Sequence, residues 1–252
     1  AYAKTKILTH NCFMKRILII GCGDIALRVA PLLRSRNQLF GLVRNPQKFE
    51  ALRAAGMVPL WDDLDEPRSL HHLHGLAHTV LHFAPPPGEG ERDTRTRNLL
   101  AALSHGSRPQ NLVYISTSGV YGDCAGAVVA ETRLTRAQNE RAKRRADAEN
   151  QIRNWARNNG VRASILRVPG IYAADRLPLQ RLHKGTPAIV AAEDGYTNHI
   201  HADDLAHCVI AAMRRGKSNR VYHTVDDSRM KMGEYFDAVA DAFALPHPPR
   251  IT

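Results

Sequence analysis

Short apolar runs alternate with amphipathic stretches along most of this chain, and this alternation constrains its fold more than any other feature. Such an order is typical of βαβ units that build a parallel sheet. The apolar runs predict six strands, over residues 16–20, 38–43, 57–61, 78–84, 111–117 and 162–168. The other stretches predict helices over 24–34, 46–56, 91–104 and 135–158, and near 175–184, 203–215 and 231–243.

We therefore predict an α/β fold, with a doubly wound, Rossmann-like parallel sheet and a small C-terminal substrate lobe. The dinucleotide-binding domain is expected over 14–168 and the lobe, integrated with it, over 169–252. Residues 1–13 lack a continuous apolar core and a small-residue cleavage site, so they make a poor signal peptide. We expect them to be a leader or an added extension outside the fold.

Charge and composition narrow the classes of ligand and partner. A net charge of +11 favours anionic ligands, such as phosphates or nucleic acid. With only 6% aromatic residues the chain offers no obvious stacking platform, so nucleic acid is the less favoured of the two. No apolar run approaches the roughly 20 residues that span a bilayer, so no membrane partner is expected. Four widely spaced cysteines indicate a reducing, cytoplasmic setting without disulfides or zinc.

A glycine-rich turn follows the first predicted strand and opens the first predicted helix. Its pattern is Gly21-x-Gly23-x-x-Ala26. The first glycine allows a tight turn, the second lets a diphosphate approach the backbone, and the small alanine permits close packing of helix on strand. The N–H groups from Gly21 to Ile25, Asp24 included, would then hold the diphosphate at the helix N-terminus.

The second predicted strand ends at Arg44, where a site that prefers NAD places an acidic residue. An arginine there accommodates a 2′-phosphate instead, so we expect NADP, with NAD the less favoured cofactor. Asp63 and Leu64 follow the third strand and could flank the adenine, although the acids at 62 and 63 could equally cap a helix.

Five further motifs accompany the glycine turn, in the order DDLDE, LHFAPPP, STSGVYGD, LRVPGIY and HIHADDLA. With them the chain resembles an extended or atypical short-chain dehydrogenase/reductase, similar to NAD(P)-dependent sugar-nucleotide epimerases and dehydratases, from about Met14 to Asp226. The resemblance implies a loop under the cofactor at Ala84, Pro85 and Pro86, and a border to the nicotinamide at Pro169 to Ile171. It also implies that the hydroxyl of Thr117 hydrogen-bonds the reacting substrate oxygen.

In this family the helix after the VYG motif carries Tyr-x-x-x-Lys, followed four residues later by Glu. Aligned on Glu149, the present chain has Arg141 at the tyrosine place and Arg145 at the lysine place. A second register, Asn139-x-x-x-Lys143, keeps the lysine but still lacks the tyrosine. Because arginine stays protonated at any working pH, Arg141 cannot shuttle a proton, whereas Arg145 could still bind the ribose.

Another group would then have to move the proton, and the candidates are Tyr121, Tyr172 and His201. Tyr121 is also expected to pack, as the family's tyrosine does. The histidines between 71 and 82 are interrupted by Gly75 and have no acidic or cysteine partner, so we expect no metal site.

The leading interpretation is an NAD(P)-dependent epimerase-type oxidoreductase that moves a hydride between nicotinamide and a carbonyl or carbinol. Its substrate would be a small molecule, anionic or nucleotide-linked. A second interpretation is a non-catalytic NADP-binding regulatory or sensor protein, and a third is a nucleic-acid-binding protein. By resemblance, a homodimer could form through the helices over 91–104 and 135–158.

Overall fold

A computed structural model describes residues 14–252 of the chain. The prediction made for residues 1–13 lies outside this range. The strands are β1 (Lys15–Ile20), β2 (Asn37–Val43), β3 (Met57–Trp61), β4 (Thr79–His82), β5 (Asn111–Thr117), β6 (Arg162–Val168), β7 (Gly170–Tyr172), β8 (Ala188–Ile189), β9 (Tyr196–Thr197), β10 (His199–His201), β11 (Arg220–His223), β12 (Met230–Lys231) and β13 (Arg250–Ile251). The helices are α1 (Asp24–Leu33), α2 (Phe49–Ala54), α3 (Thr94–Leu103), α4 (Glu140–Asn159), α5 (Leu179–His183), α6 (Ala202–Arg215) and α7 (Met232–Ala242).

Seven parallel strands form the central sheet, in the order β11-β6-β5-β4-β1-β2-β3. The order reverses beside β1, because the chain builds outward to β3 on one side and then returns through β4 to the other. Ligands of doubly wound sheets bind at such a switch point, beyond the carboxyl ends of the strands. The predicted fold class is confirmed.

Helices cover both faces of the sheet, and two apolar cores fill the spaces between. One core packs α1, α2 and α6 against the sheet around Val29, Leu52 and Val209. The other packs α3 and α4 around Leu99 and Ile152. Both faces are thus buried, which explains why the strands appear in the sequence as continuous apolar runs rather than as alternating ones.

The strand prediction missed β11, the seventh strand of the sheet. It is only four residues long, and Arg220, Tyr222 and His223 interrupt its apolar character. Together with α6 it returns the chain to the main sheet after residue 168, while a small cluster around Leu182 and Phe236 forms a separate core for α5 and α7. The division of the chain at residue 168 stays a prediction.

Helix α4 begins at Glu140, later than the predicted start at residue 135. Asn139 caps it, because its side-chain Oδ1 accepts a hydrogen bond from the backbone N–H of Ala142 at 2.8 Å. The helix ends at Gly160 as predicted, and this glycine adopts the left-handed conformation with φ of +66°.

Two arginines of α4 do not lie at the surface. Arg144 and Arg145 are buried, as are the apolar Ala148 and Ile152 of the same helix. Farther along the helix, Glu149 forms an ion pair with Arg167 of β6 at 2.6 Å. Long cationic side chains therefore fill part of the space that a purely apolar stripe would fill.

Within residues 14–252, no helix is long and apolar enough to cross a membrane.

The buried pair of Glu149 and Arg167 allows a test of the packing of α4. Both side chains are less than 5% exposed, and the Oγ of Ser116 also donates to Glu149. Glu149→Ala leaves a buried, uncompensated guanidinium and should lower the free energy of unfolding by about 3–5 kcal/mol in urea denaturation. The double variant Glu149→Leu/Arg167→Met should lose much less, and Glu140→Ala, on the exposed face of the same helix, should lose under about 1 kcal/mol. Equal losses in Glu149→Ala and the double variant would contradict the role of the pair.

Candidate functional site

A cleft of about 540 Å³ opens beyond the carboxyl ends of β1, β2 and β4, at the switch point of the sheet. This volume lies within the range of small-molecule and cofactor pockets. The predicted site residues that line it are Gly21, Gly23, Arg44, Asp63, Leu64, Ala84 and Pro85. The sequence therefore located both walls of one cleft, although these residues are spread over more than 60 positions of the chain.

Gly21 allows the closest approach in the cleft. Its φ is +86°, and a Cβ placed on it would lie 2.5 Å from the backbone N of Ala84. Only glycine fits both the dihedral angle and the space. The glycine turn after β1 consequently packs directly against the loop after β4, and the two loops form one continuous floor.

Gly23 has the opposite surroundings, because within residues 14–252 a Cβ placed on it would meet no heavy atom within 4 Å. It is the N-cap of α1, a helix of ten residues, and has no side chain that could cap the first backbone N–H groups. A helix N-terminus of this kind suits an anion. The side chain of Ile25 is buried in the core, so only its backbone N–H could contribute to such a site.

Asp24 adds a carboxylate to the first turn of α1, where it would by itself repel a diphosphate. Two arginines offset its charge: Arg28 donates to it at 2.8 Å, and Arg176, from the segment after β7, donates at 3.0 Å. Arg28 also pairs with Asp203 of α6 at 2.6 Å. These ion pairs connect the glycine turn to later parts of the chain, and nothing in the local sequence pattern indicated them.

The end of the cleft at β2 is cationic, with Arg44, Lys48 and Arg95 in its lining. The guanidinium of Arg44 is 3.7 Å from Asp63 and 3.8 Å from Asp65, and in the described part of the chain it makes no hydrogen bond. Because those distances are long for charge-assisted hydrogen bonds, the donors of Arg44 remain available to a ligand.

Arg95, on α3, was not predicted as a site residue. Its guanidinium holds both carboxylate oxygens of Asp65, at 2.6 and 2.9 Å, and donates to the carbonyl of Pro86 at 3.2 Å. Hydrogen bonding to Arg95 lowers the pKa of Asp65. Arg95 thus fixes the predicted loop at Ala84 to Pro86 and also keeps Asp65 ionised and occupied. In the sequence, Arg95 is only an arginine in the first turn of a helix, and nothing marks it as a site residue.

Thr117 ends β5 and is half-buried. Its Oγ1 accepts a hydrogen bond from the N–H of Gly119 at 3.2 Å and so caps a short 3₁₀ turn over Ser118–Tyr121. Within residues 14–252 the hydroxyl of Thr117 donates to no acceptor. The donor role that the resemblance implies for it stays a prediction.

Tyr121 is buried, and its hydroxyl lies 2.6 Å from Nε2 of His223. The guanidinium of Arg167 stacks over its ring at 4.6 Å from the ring centre. Burial raises the pKa of the Tyr121 phenol. These contacts resemble the packing role that was expected as an alternative to a proton-transfer role.

Arg145, at the lysine place of the family motif, points into the sheet. Its Nη1 donates to the carbonyl of Ile115 at 2.8 Å and to the hydroxyl of Tyr114 at 3.0 Å. The side chain is buried, whereas Arg141, at the tyrosine place, is exposed. Arg145 is therefore attached to β5 in the way that a structural anchor is.

Pro169, Ile171 and Tyr172 lie just beyond the carboxyl end of β6, and they are not part of the lining of the cleft. β7 pairs there with β10, which brings the ring of Tyr172 within 5.3 Å of the ring of His201. Burial, followed by the charge of Asp226, raises the pKa of Tyr172. Nδ1 of His201 accepts from the N–H of Asp203 at 3.3 Å and so caps α6.

Under the floor lies a buried polar chain that the sequence did not reveal. Thr96 donates to Asp93 at 2.9 Å, and Nε2 of His82 lies 2.9 Å from the same hydroxyl. Burial lowers the pKa of His82 to about 3, so this histidine is neutral and takes no part in proton transfer near neutral pH. Its other ring nitrogen, Nδ1, is buried and has no hydrogen-bond partner among residues 14–252.

Comparisons with known proteins agree with this geometry. A sequence model described as the NAD dependent epimerase/dehydratase family matches residues 29–225, a range that begins after the glycine turn. The GDP-6-deoxy-D-mannose reductase of Pseudomonas aeruginosa is 22% identical over 244 residues, covering 90% of this chain and 80% of that protein. A putative NAD-dependent epimerase/dehydratase from Methylobacillus flagellatus is 25% identical with a TM-score of 0.73, and the match covers 94% of this chain and 86% of that one.

A UDP-glucose 4-epimerase from Thermotoga maritima, solved with UDP-glucose, has a TM-score of 0.76 at 17% identity, over 94% of this chain and 85% of that one. At this identity the likeness shows a shared fold alone. The match to the family model spans well over half of the chain. The chain therefore belongs to the NAD-dependent epimerase/dehydratase family.

Proposed function

We propose that the protein binds NADP(H) and transfers a hydride between the nicotinamide and a carbonyl or carbinol of a small, nucleotide-linked substrate. The observation that carries this proposal is the cleft, which joins an open helix N-terminus to a cationic end with an uncommitted arginine. Both features suit the diphosphate and the 2′-phosphate of the phosphorylated coenzyme. The substrate class is taken from the sugar-nucleotide relatives.

The residues of the cleft fit a dinucleotide. The space beside Gly23 admits a diphosphate, and Leu64 and Asp63 line the end where an adenine would lie. When bound, the coenzyme supplies the hydride chemistry. The chain would hold its phosphates at the glycine turn and at Arg44, and Thr117 would donate a hydrogen bond to the reacting oxygen of the substrate.

The proton transfer needs another group, because the tyrosine that performs it in the family is missing from this chain. Tyr121 is already bonded to His223, and His201 caps α6, so two of the three candidates are occupied. We infer that Tyr172, the remaining candidate, supplies the proton, because it lies just beyond the carboxyl end of β6. A protonated phenol can donate to a developing alkoxide.

A second candidate function is a non-catalytic sensor of NADP. The observation in its favour is Arg145, whose Nη1 donors are already bonded to β5 instead of being offered to a ribose. Binding of the coenzyme without turnover would distinguish this function from the enzyme.

Coenzyme binding is the first test of the proposal. A ligand that binds only the folded state raises apparent stability, so NADPH should raise the thermal midpoint more than NADH does. Arg44→Gln should reduce the response to NADPH and leave that to NADH nearly unchanged, with Arg34→Gln, at the distant end of α1, as the matched control. If neither coenzyme changes the midpoint of the wild-type protein, the proposed function is wrong.

The contact of Arg95 with Asp65 should set the preference between coenzymes. Arg95→Gln releases Asp65 to compete for Arg44, and the affinity ratio of NADPH to NADH should fall by about tenfold, or roughly 1.4 kcal/mol. In an Asp65→Asn background the same change should have a much smaller effect, because the two residues are coupled. Isothermal titration of the four proteins gives the cycle, and Arg97→Gln on the exposed side of α3 is the control. Equal effects in both backgrounds would show that Asp65 plays no part in the preference between the coenzymes.

Thr117 is tested by turnover on a panel of nucleotide-linked keto sugars. Thr117→Ala should lower kcat by about 10²-fold or more with little change in KM, as expected for a lost donor to developing charge. Thr117→Ser keeps both the hydroxyl and the cap on Gly119, and should retain most activity. An unchanged kcat in Thr117→Ala would show that the reacting oxygen lies elsewhere.

A further inference from the structure

A second cavity, of about 380 Å³, lies near the β11 edge of the sheet, whereas the cleft lies toward the β3 edge. It is bounded by α4, by the carboxyl end of β6, by the start of the edge strand β11 and by the segment 131–135. No residue lines both cavities. Because β5 and β6 separate it from the strands of the cleft, a ligand here would not touch the coenzyme site.

Arginine dominates the lining of this cavity, with Arg133, Arg153, Arg167 and Arg220 against two carboxylates. One of these carboxylates, Glu149, is already committed to Arg167. That buried pair forms the base of the cavity. Because the pair is electrically neutral, the net charge of the cavity is set by the other lining residues.

The second carboxylate, Glu131, is also engaged, because its Oε1 accepts from the backbone N–H of His223 at 3.3 Å. Hydrogen bonds from backbone N–H groups, and then the nearby His223 and Arg220, lower the pKa of Glu131, so it carries one negative charge. Three guanidinium groups remain against this single charge.

These three arginines have no close acidic partner. Over residues 14–252, no carboxylate oxygen lies within 4.0 Å of the side-chain nitrogens of Arg133, Arg153 or Arg220. Residues 1–13 contain no Asp or Glu that could supply one. A concave site with three unpaired guanidinium groups attracts anions, and guanidinium matches phosphate geometry well.

Asn219 adds a polar residue to the lining of the cavity. It lies in the left-handed conformation at φ +54°, and its backbone carbonyl accepts from Arg153 at 3.5 Å. Its side-chain Oδ1 is buried and has no hydrogen-bond donor within residues 14–252, so a ligand in the cavity would not reach it without a local rearrangement.

We propose that this cavity binds a phosphorylated small molecule that carries at least two negative charges. Its volume is within the range of small-ligand pockets, and its concave shape favours such a ligand over a nucleic acid strand. The proposal is independent of coenzyme binding and of the reaction proposed above.

Isothermal titration with pyrophosphate, at low salt and in the presence of saturating NADPH, tests the site. The double variant Arg153→Gln/Arg220→Gln should weaken binding by about tenfold or more, and Arg220→Gln alone, on the exposed edge strand, should weaken it in part. Arg157→Gln, on the exposed side of α4, is the matched control and should bind like the wild type. Arg44→Gln, in the cleft, is titrated beside it, with NADPH raised until this variant is also saturated. Unchanged far-UV spectra would show that the variants are folded.

Three results would overturn the proposal. Binding that is lost in Arg44→Gln but kept in the double variant would place pyrophosphate at the glycine turn. Pyrophosphate binding that never saturates would indicate only nonspecific association of anions with the positive surface. Tighter binding of a single-stranded oligonucleotide, lost in the same double variant, would make this surface a nucleic-acid site.

Discussion

The contact between Gly21 and the backbone at Ala84 is the constraint on which the cleft depends. A tight turn after β1 and the loop after β4 lie within van der Waals distance, and no side chain fits between them. The N–H of Phe83 also donates to the carbonyl of Ile20 at 2.8 Å and extends the ladder between these strands. This close approach and the hydrogen bond beside it hold together the two loops that form the floor of the cleft.

Charge in the cleft is arranged as pairs of different strength. Arg95 holds Asp65 tightly, while Arg44 is only loosely associated with Asp63 and Asp65. The strong pair fixes the loop over the floor, and the weak pairs leave a cation accessible. In the cleft one arginine is thus held by a close ion pair, while another keeps its hydrogen-bond donors free of the nearby acids.

The parts of the structure that could be predicted from sequence are those set by local rules. Strands β3, β5 and β6 have the predicted limits, because each contains several neighbouring apolar residues and is five to seven residues long. The glycine turn and Arg44 were located for the same reason, since their spacing from β1 and β2 is local. The edge strand β11 was missed because it is short and partly polar.

The long-range contacts of the buried and half-buried arginines could not be predicted. Arg144 and Arg145 look like surface residues in the sequence of α4, but carbonyl groups and a phenol that come from distant parts of the chain accept their hydrogen bonds. Likewise, nothing near Arg95 indicates that it reaches Asp65, thirty positions earlier. Pairings of this kind depend on the assembled tertiary structure, so no periodicity or spacing rule detects them.

The ion pairs around Asp24 give the glycine turn a mechanical role. Asp24 is bonded to Arg28 and Arg176, and Arg28 is bonded in turn to Asp203 at the start of α6. A rotation of α1 would thus pull on α6 and on the segment that follows β7. Ion pairs consequently hold the start of α1 on two sides. They join it to regions that lie about 150 to 180 positions farther along the chain.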